Sequence, residues 1–119
     1  MSKEYMIIIL KAPNQKPHIL KIPKRLKDMS NLVGGVIEVK RYEDALIVYN
    51  QNQKDINLNE NILFGDLKLK GNVLIVGNNE IDGDIMSLRK KQVLKYMSKI
   101  NGNNKEKELW RKKLLLLVY

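Results

Sequence analysis

The sequence predicts an α+β domain: a mainly antiparallel sheet of about five to six strands with two helices packed on one face, in the order β-β-α-β-β-β-β-α. Short apolar runs rich in isoleucine and valine, bounded by Pro, Gly and Asn, are typical of strands joined by turns. Two other segments space their apolar residues three or four apart, as in helices that bury one side. Strand pairs precede and follow these helices, which favours an α+β sandwich.

The start of the chain predicts a hairpin followed by a helix. Residues 5–12 contain four consecutive large aliphatic side chains, which favour a strand covered on both faces. Residues 18–22 alternate apolar and polar side chains, so we expect them to pair with the first strand. Pro23 suits the first turn of a helix that ends near Val33. The apolar residues expected on one side of this helix are Leu26, Met29, Leu32 and Val33.

A glycine pair, Gly34 and Gly35, follows this helix and raises the question of phosphate binding. Phosphate-binding loops place glycines before a helix, where free amides and the positive end of the dipole meet the anion. Here the glycines come after a helix, and no lysine followed by Ser or Thr comes after them. We therefore expect a helix stop, in which a left-handed glycine closes the last turn and the chain swings into the next strand.

The middle of the chain predicts two strands and a loop. Residues 36–42 and 45–49 are strand-like and are joined at Glu43 and Asp44. Residues 55–65 show no clean period, and we expect a loop with one helical turn there.

The last part of the domain predicts a second hairpin and a second helix. Residues 67–69 and 73–76 are expected to pair through a Gly-Asn turn. Ser87 is expected to cap a helix that runs to about Ile100. The apolar side of this helix consists of Val93, Tyr96, Met97 and Ile100.

Composition limits the class of protein. The 119 residues suffice for one domain and are too few for two, and the hydrophobic content of 44% allows a core. The absence of cysteine excludes disulfides, thiolate metal sites and cysteine nucleophiles. The apolar run at residues 6–10 is shorter than the core of a signal peptide and far below a membrane span, so we expect a cytoplasmic protein.

No residue pattern predicts a catalytic, cofactor or metal site. Glu80, Asp82 and Asp84 lie close together, but a calcium loop needs more ligands and a terminal glutamate where this sequence has basic residues. His18 is expected at the surface, and no serine lies in a nucleophile-elbow pattern. Nothing in the spacing of the carboxylates selects a pair for acid-base chemistry. We therefore expect no catalytic residue, no cofactor and no metal.

Basic residues give the strongest signal for a contact surface. The net charge of +9 favours polyanions or acidic proteins as partners. Three lysines recur every four residues along the last helix and form a ridge, and a second cluster follows the second strand. The candidate contact residues are Lys24, Arg25, Lys27, Lys91, Lys95 and Lys99. Because stacking aromatics and arginines are few, the sequence favours a solvated helix face over a specific nucleic-acid site.

The domain is expected to span residues 1–100, followed by a basic and apolar C-terminal tail at residues 101–119. The end of the tail is too short to span a membrane but would be sticky if exposed. Either it adds a strand to a sheet edge, in the same chain or in a homo-oligomer, or it is a disordered product of the reading frame; contact with a membrane surface ranks third. The candidate partner-binding residues are Trp110, Leu114, Leu115, Leu116, Leu117, Val118 and Tyr119.

Three motifs in order resemble a known family. They are LVGGVIEVK at residues 32–40, NENILFG at residues 59–65 and NVLIVGNNEIDGDIMSL at residues 72–88. The set is similar to a family of small domains of unknown function from phages and conjugative elements of low-GC Gram-positive bacteria. The resemblance implies a compact α+β fold and a mobile-element setting in a bacterial host cell. It transfers no active residue, and the tail lies outside it.

Three hypotheses of function remain. The leading one is a non-catalytic phage or mobile-element accessory protein that binds a host component, either a defence protein or its signalling nucleotide. The alternative is a nucleic-acid-binding regulator that uses the lysine-rich helix face, with strong salt dependence. The third is an enzyme built from carboxylates that converge in a cleft.

Overall fold

The computed structural model describes residues 4–53, 60–64 and 67–101. Its elements are β1 (Tyr5–Lys11), β2 (His18–Pro23), α1 (Leu26–Val33), β3 (Ile37–Tyr42), β4 (Ala45–Asn50), β5 (Glu60–Phe64), β6 (Leu67–Lys70), β7 (Val73–Asn78), β8 (Ile85–Met86) and α2 (Lys90–Asn101). The predicted α+β class with a mainly antiparallel sheet is confirmed. In the described part of the chain, no helix has the length and apolar character needed to cross a membrane.

The main sheet contains six strands within the described residues, in the order β2-β1-β7-β4-β3, with β8 pairing to β7 beside this path. All of its pairings are antiparallel. β1 and β2 form the predicted hairpin, with Ile8 opposite Leu20. β7 lies between β1 and β4, so the two halves of the chain meet in the centre of the sheet.

The sheet is covered on both faces, so the predicted placement of both helices on one face is wrong. Along β1, Ile7 and Ile9 face one side and Met6 and Ile8 face the other. α1 packs on the side of Met6 and Ile8, and α2 packs on the side of Ile7 and Ile9. The reason is that β1, β4 and β7 are apolar and buried at successive positions, so both faces need cover.

α1 ends where its apolar spacing predicts, but it starts later. Met29 and Val33 are buried against the sheet, whereas Leu26 is 64% exposed and is not part of the buried side of the helix. Pro23 ends β2 instead of opening the helix. The helix therefore has a shorter apolar side than the sequence predicts.

The glycine pair stops α1 as predicted. Gly34 has a φ of 81°, and the amides of Gly34 and Gly35 both donate to Ser30 O, at 2.8 and 3.0 Å. Asn50 Nδ2 donates to Val33 O at 3.2 Å, and a Cβ at Gly35 would lie 3.0 Å from that nitrogen. The second glycine therefore makes room for a side chain of β4 that closes the helix end.

β5 and β6 form a separate two-stranded sheet, which corrects two predictions. The region expected to be a loop with a helical turn contains β5; its residues 54–59 and 65–66 lie outside the described part. The strand expected to pair with β7 pairs with β5 instead. Asn61 is fully buried and donates to Lys11 O at 2.7 Å and to Gly71 O at 2.8 Å. These bonds attach β5 to the end of β1.

Candidate functional site

The start of α2 is fixed by the segment after β8, and the predicted serine cap is wrong. Ser87 Oγ accepts a hydrogen bond from Ile7 N at 2.8 Å, so this side chain joins β1 instead of the helix. Leu88 is 1% exposed, and its N–H donates to Ile7 O at 2.9 Å. Gln92 Oε1 accepts from Arg89 N at 2.9 Å, as the third helical residue of a capping box does. With Ser87 as its cap the helix would start at Leu88, so α2 starts two residues later than predicted.

The apolar side of α2 packs as predicted. Val93, Tyr96 and Met97 are buried in the core cluster of that face, and Ile100 packs at its margin. Lys91, Lys95 and Lys99 consequently share the exposed side of the helix.

The turn between β3 and β4 contacts this lysine side. We call these contacts the clamp; its residues are Glu43, Asp44, Gln92, Lys95, Tyr96 and Lys99. Lys95 Nζ lies 2.9 Å from Glu43 Oε2 and 3.3 Å from Asp44 Oδ1, and Lys99 Nζ lies 2.6 Å from Glu43 Oε1. Two of the three predicted ridge lysines are therefore already paired with carboxylates.

Asp44 contacts three other residues of the clamp. The Tyr96 hydroxyl donates to Asp44 Oδ1, and Gln92 Nε2 donates to Asp44 O at 3.0 Å. Burial alone raises the pKa of Asp44, but hydrogen bonds from Tyr96, Gln92 and Lys95 outweigh it and hold the pKa below its usual value. Burial and the Asp44 carboxylate together raise the pKa of Tyr96. At neutral pH, Asp44 is therefore ionised and Tyr96 is protonated.

Glu43 occupies an unusual backbone position in the same turn. Its φ is 52°, in the left-handed region that favours glycine. Hydrogen bonds from Lys99 and Lys95 lower the pKa of its carboxyl group. The ion pairs made from this position compensate for a conformation that a glycine would adopt more easily.

A groove lies beside the clamp at the first turn of α2. We call it the α2 groove; its lining residues are Asp44, Arg89, Lys90, Lys91, Gln92 and Lys95, and its volume is about 390 Å³. A second cavity of about 270 Å³ shares Arg89 and Gln92 and continues past Met86 to the loop at Asn79 and Ile81. Basic side chains outnumber the single carboxylate in the first cavity, so the arrangement favours an anion.

Of the predicted contact residues, only Lys91 and Lys95 line the α2 groove. Sequence reasoning missed Arg89, Lys90 and Gln92. The available signal was a run of three basic residues, beginning at Arg89, at the start of a predicted helix. Acidic residues are normally favoured there, so such a run is unusual.

The second predicted basic cluster is separate, because it belongs to the start of α1 on the opposite side of the sheet. Lys24 Nζ lies 3.4 Å from Asp84 Oδ2, and Arg25 Nε lies 2.8 Å from Asp28 Oδ2. Lys27 is exposed and makes no ion pair with another described residue. The two clusters therefore do not form one continuous basic track.

Side chains of the acidic loop after β7 form hydrogen bonds with backbone amides of the same loop. Asp82 Oδ1 accepts from Asp84 N at 2.9 Å, and Asn79 Oδ1 accepts from Ile81 N at 3.0 Å. Among the described residues, no three acidic or histidine side chains are grouped to hold a metal ion. His18 is exposed at the start of β2. The predicted partner-binding residues of the tail, Trp110 and residues 114–119, lie outside the described part.

Comparison with known proteins identifies the domain. No curated protein and no solved structure matches the chain. Residues 6–101, from the start of β1 to the end of α2, match the family described as domain of unknown function DUF3846. This match covers most of the chain and confirms the predicted membership of a family of domains of unknown function. The chain belongs to the DUF3846 family.

Proposed function

We propose that the protein is a non-catalytic binding module that takes a phosphate-bearing small molecule in the α2 groove. The observation that carries this proposal is the charge of the lining: Arg89, Lys90 and Lys91 make no ion pair with any described residue, and they are half of the six described residues that line a cavity of about 390 Å³. That volume is typical of sites for small ligands.

The helix dipole adds to the same preference. Lys90 and Lys91 lie in the first turn of α2, which contains no acidic residue. Positive side chains are unfavourable there because the helix start already carries partial positive charge. A bound phosphate would offset both the dipole and the side chains, so it would stabilise the folded protein.

A binding role fits the groove better than catalysis. The carboxylate in the groove, Asp44, has a lowered pKa and is engaged by Tyr96 and Lys95, so it is poorly suited to act as a general acid. The resemblance to phage and conjugative-element domains supports a biological setting. In that setting, the ligand is a signalling nucleotide of the host, and the protein sequesters it in the cytoplasm of the bacterial cell.

A panel of mononucleotides, cyclic mononucleotides and cyclic dinucleotides tests this proposal by thermal shift and titration calorimetry. We expect at least one nucleotide to raise the unfolding temperature and bind less tightly as salt increases. Arg89→Glu and Lys91→Glu should abolish this binding. Lys27→Glu is the matched control, since it reverses a charge that is also exposed but lies on the other helix, and it should leave binding unchanged. Absence of binding across the panel would contradict the proposal.

A nucleic-acid-binding regulator remains the second candidate, supported by the net charge of +9. The clamp weakens this candidate, because Lys95 and Lys99 are paired with carboxylates and would have to exchange partners to reach a phosphate backbone. Duplex DNA and RNA belong in the same titrations. Binding that falls steeply with salt and is lost in Lys99→Glu as well as Lys91→Glu would favour this second function.

A further inference from the structure

β3 is an unpaired edge of the main sheet. It pairs with β4 on one side, and no strand of the described chain pairs with its other side. Four of its six residues are exposed. Val39 is 41% exposed and Val36, just before the strand, is 59% exposed. Such an edge presents unpaired backbone groups together with apolar side chains, which is the arrangement that a further strand recognises.

The pairing with β4 shows which backbone groups point outward. Because only Glu43 and Asp44 separate the strands, Tyr42 and Ala45 form the hydrogen-bonded pair next to the turn. Because hydrogen-bonded and non-hydrogen-bonded pairs alternate along an antiparallel ladder, the backbone N–H and C=O groups of the even-numbered residues of β3 point towards β4. The hydrogen bond from Gln51 N to Val36 O, at 2.8 Å, agrees with this alternation. The N–H and C=O groups of Ile37, Val39 and Arg41 therefore face away from the sheet.

The sequence of β3, IEVKRY, is complementary to itself in antiparallel orientation. With a two-fold axis at Val39, each Glu38 lies opposite Lys40 of the second copy, and the two Val39 side chains meet. The outward groups of Ile37, Val39 and Arg41 also fall into register, so this alignment satisfies backbone and side chains together. We propose that β3 is a homodimer interface, where a second copy continues the sheet across a two-fold axis.

The other edge of the sheet lacks these properties. β2 follows Pro17 and includes Pro23, and its charged side chain Lys21 has no carboxylate on the same strand to face it in a second copy. Edge strands that avoid association carry prolines or charges of one sign. Of the two edge strands of the described main sheet, β3 alone alternates negative and positive charge around an exposed valine, so the proposal is confined to this edge.

Charge exchange across the interface gives the decisive test, read by sedimentation equilibrium of the full-length protein. We expect the unmodified protein to dimerise as concentration rises. Glu38→Lys and Lys40→Glu should each weaken the dimer roughly tenfold, because two attractive pairs become two repulsive pairs. An equimolar mixture of the two variants should associate, since a β3 strand with two carboxylates at these positions then faces a β3 strand with two ammonium groups.

A backbone variant tests the same interface independently. Val39→Pro removes an outward N–H without removing a bond to β4, so it should give a monomer that still folds. Val39→Thr retains the N–H and should still dimerise. Glu38 is paired with Tyr49 across β3 and β4, and burial and the Glu38 carboxylate together raise the pKa of Tyr49. If Glu38→Lys unfolds for this reason, Lys40→Glu and Val39→Pro provide the test. An unmodified protein that stays monomeric, as expected if the tail occupies this edge, would overturn the proposal. A mixture of the two charge variants that fails to associate although both are folded would also overturn it.

Discussion

Asp44 illustrates how one residue joins two distant segments. Its carboxylate receives the Tyr96 hydroxyl and lies 3.3 Å from Lys95 Nζ, while its backbone carbonyl receives Gln92. Three residues of α2 thus meet one residue of the turn between β3 and β4. The clamp stabilises the position of the helix, and it also sets the charge at one wall of the α2 groove.

Stability should depend on pH through Asp44. Its pKa is lowered in the folded protein, so the unfolded chain binds the proton more readily, and the stabilisation is present above the unfolded value near 3.8. It is lost as pH falls through the folded pKa. We therefore expect Asp44→Asn to cost about 1 kcal/mol at neutral pH, typical of a partly exposed ion pair. This difference should shrink towards zero in acid.

Urea unfolding at a series of pH values measures this effect. Glu80→Gln serves as the control, because Glu80 is exposed and forms no ion pair with another described residue. It should leave the unfolding free energy unchanged at every pH. A cost of Asp44→Asn that is the same in acid as at neutral pH would show that the carboxylate charge contributes nothing.

The lysines of α2 show what could and could not be predicted for single residues. Their spacing predicts that Lys91, Lys95 and Lys99 share one side of a helix, and they do. It cannot predict that Glu43 and Asp44, more than forty residues earlier, lie against that side, because the contact depends on where the sheet places the turn. The groove beside Arg89 cannot be predicted from the sequence for the same reason.

At the scale of elements, the continuous apolar runs of the strands indicate the layer arrangement better than the apolar spacing of the helices does. β1, β4 and β7 are buried at successive positions, which requires cover on both faces of the sheet. The apolar run of the first strand already indicates cover on both faces, which is incompatible with two helices on one face. The sequence does not predict β5, because its buried residue Asn61 is polar and has a low strand propensity.

The junction of β7 and β8 depends on a glycine. A Cβ at Gly77 would lie 2.5 Å from Ser87 O and 2.9 Å from Met86 O. Both are backbone atoms, which cannot move away by a change of rotamer. We expect Gly77→Ala to separate β8 from β7 and to cost at least about 1–3 kcal/mol, as overpacking does. Hydrogen exchange should also become faster at the Leu88 amide, which bonds Ile7 O in the intact structure.

Gly34→Ala is the informative comparison for this junction. Gly34 has a φ of 81°, but a Cβ there would meet nothing within 4 Å, so only backbone strain of about 1 kcal/mol is expected. Its effect on the Leu88 amide should be small. Equal changes in both variants would mean that the close approach at Gly77 is not what holds β8 in place.

In the described part of the molecule, the main sheet separates two cores, one under each helix. The central strands contribute to both cores, since adjacent residues on each strand face opposite sides. Because both cores share the backbone of the same strands, loss of one core disrupts the other, and we expect both to unfold in a single transition. The side-chain packing within each core should nevertheless be independent.

Two double substitutions test whether the two cores unfold together while their side chains pack independently. Ile75 and Ile9 are paired across β7 and β1 and belong to the core under α2, whereas Ile8 belongs to the core under α1. All three are fully buried, so each change to valine should cost about 0.5–1.5 kcal/mol. Ile75→Val with Ile8→Val should be additive within about 0.5 kcal/mol, while Ile75→Val with Ile9→Val should deviate because the side chains touch. Urea unfolding followed by circular dichroism measures the unfolding free energy of both double variants. Two separate unfolding transitions would contradict cooperative unfolding of the two cores. Equal coupling energies in the two pairs would contradict independent side-chain packing on the two faces of the main sheet.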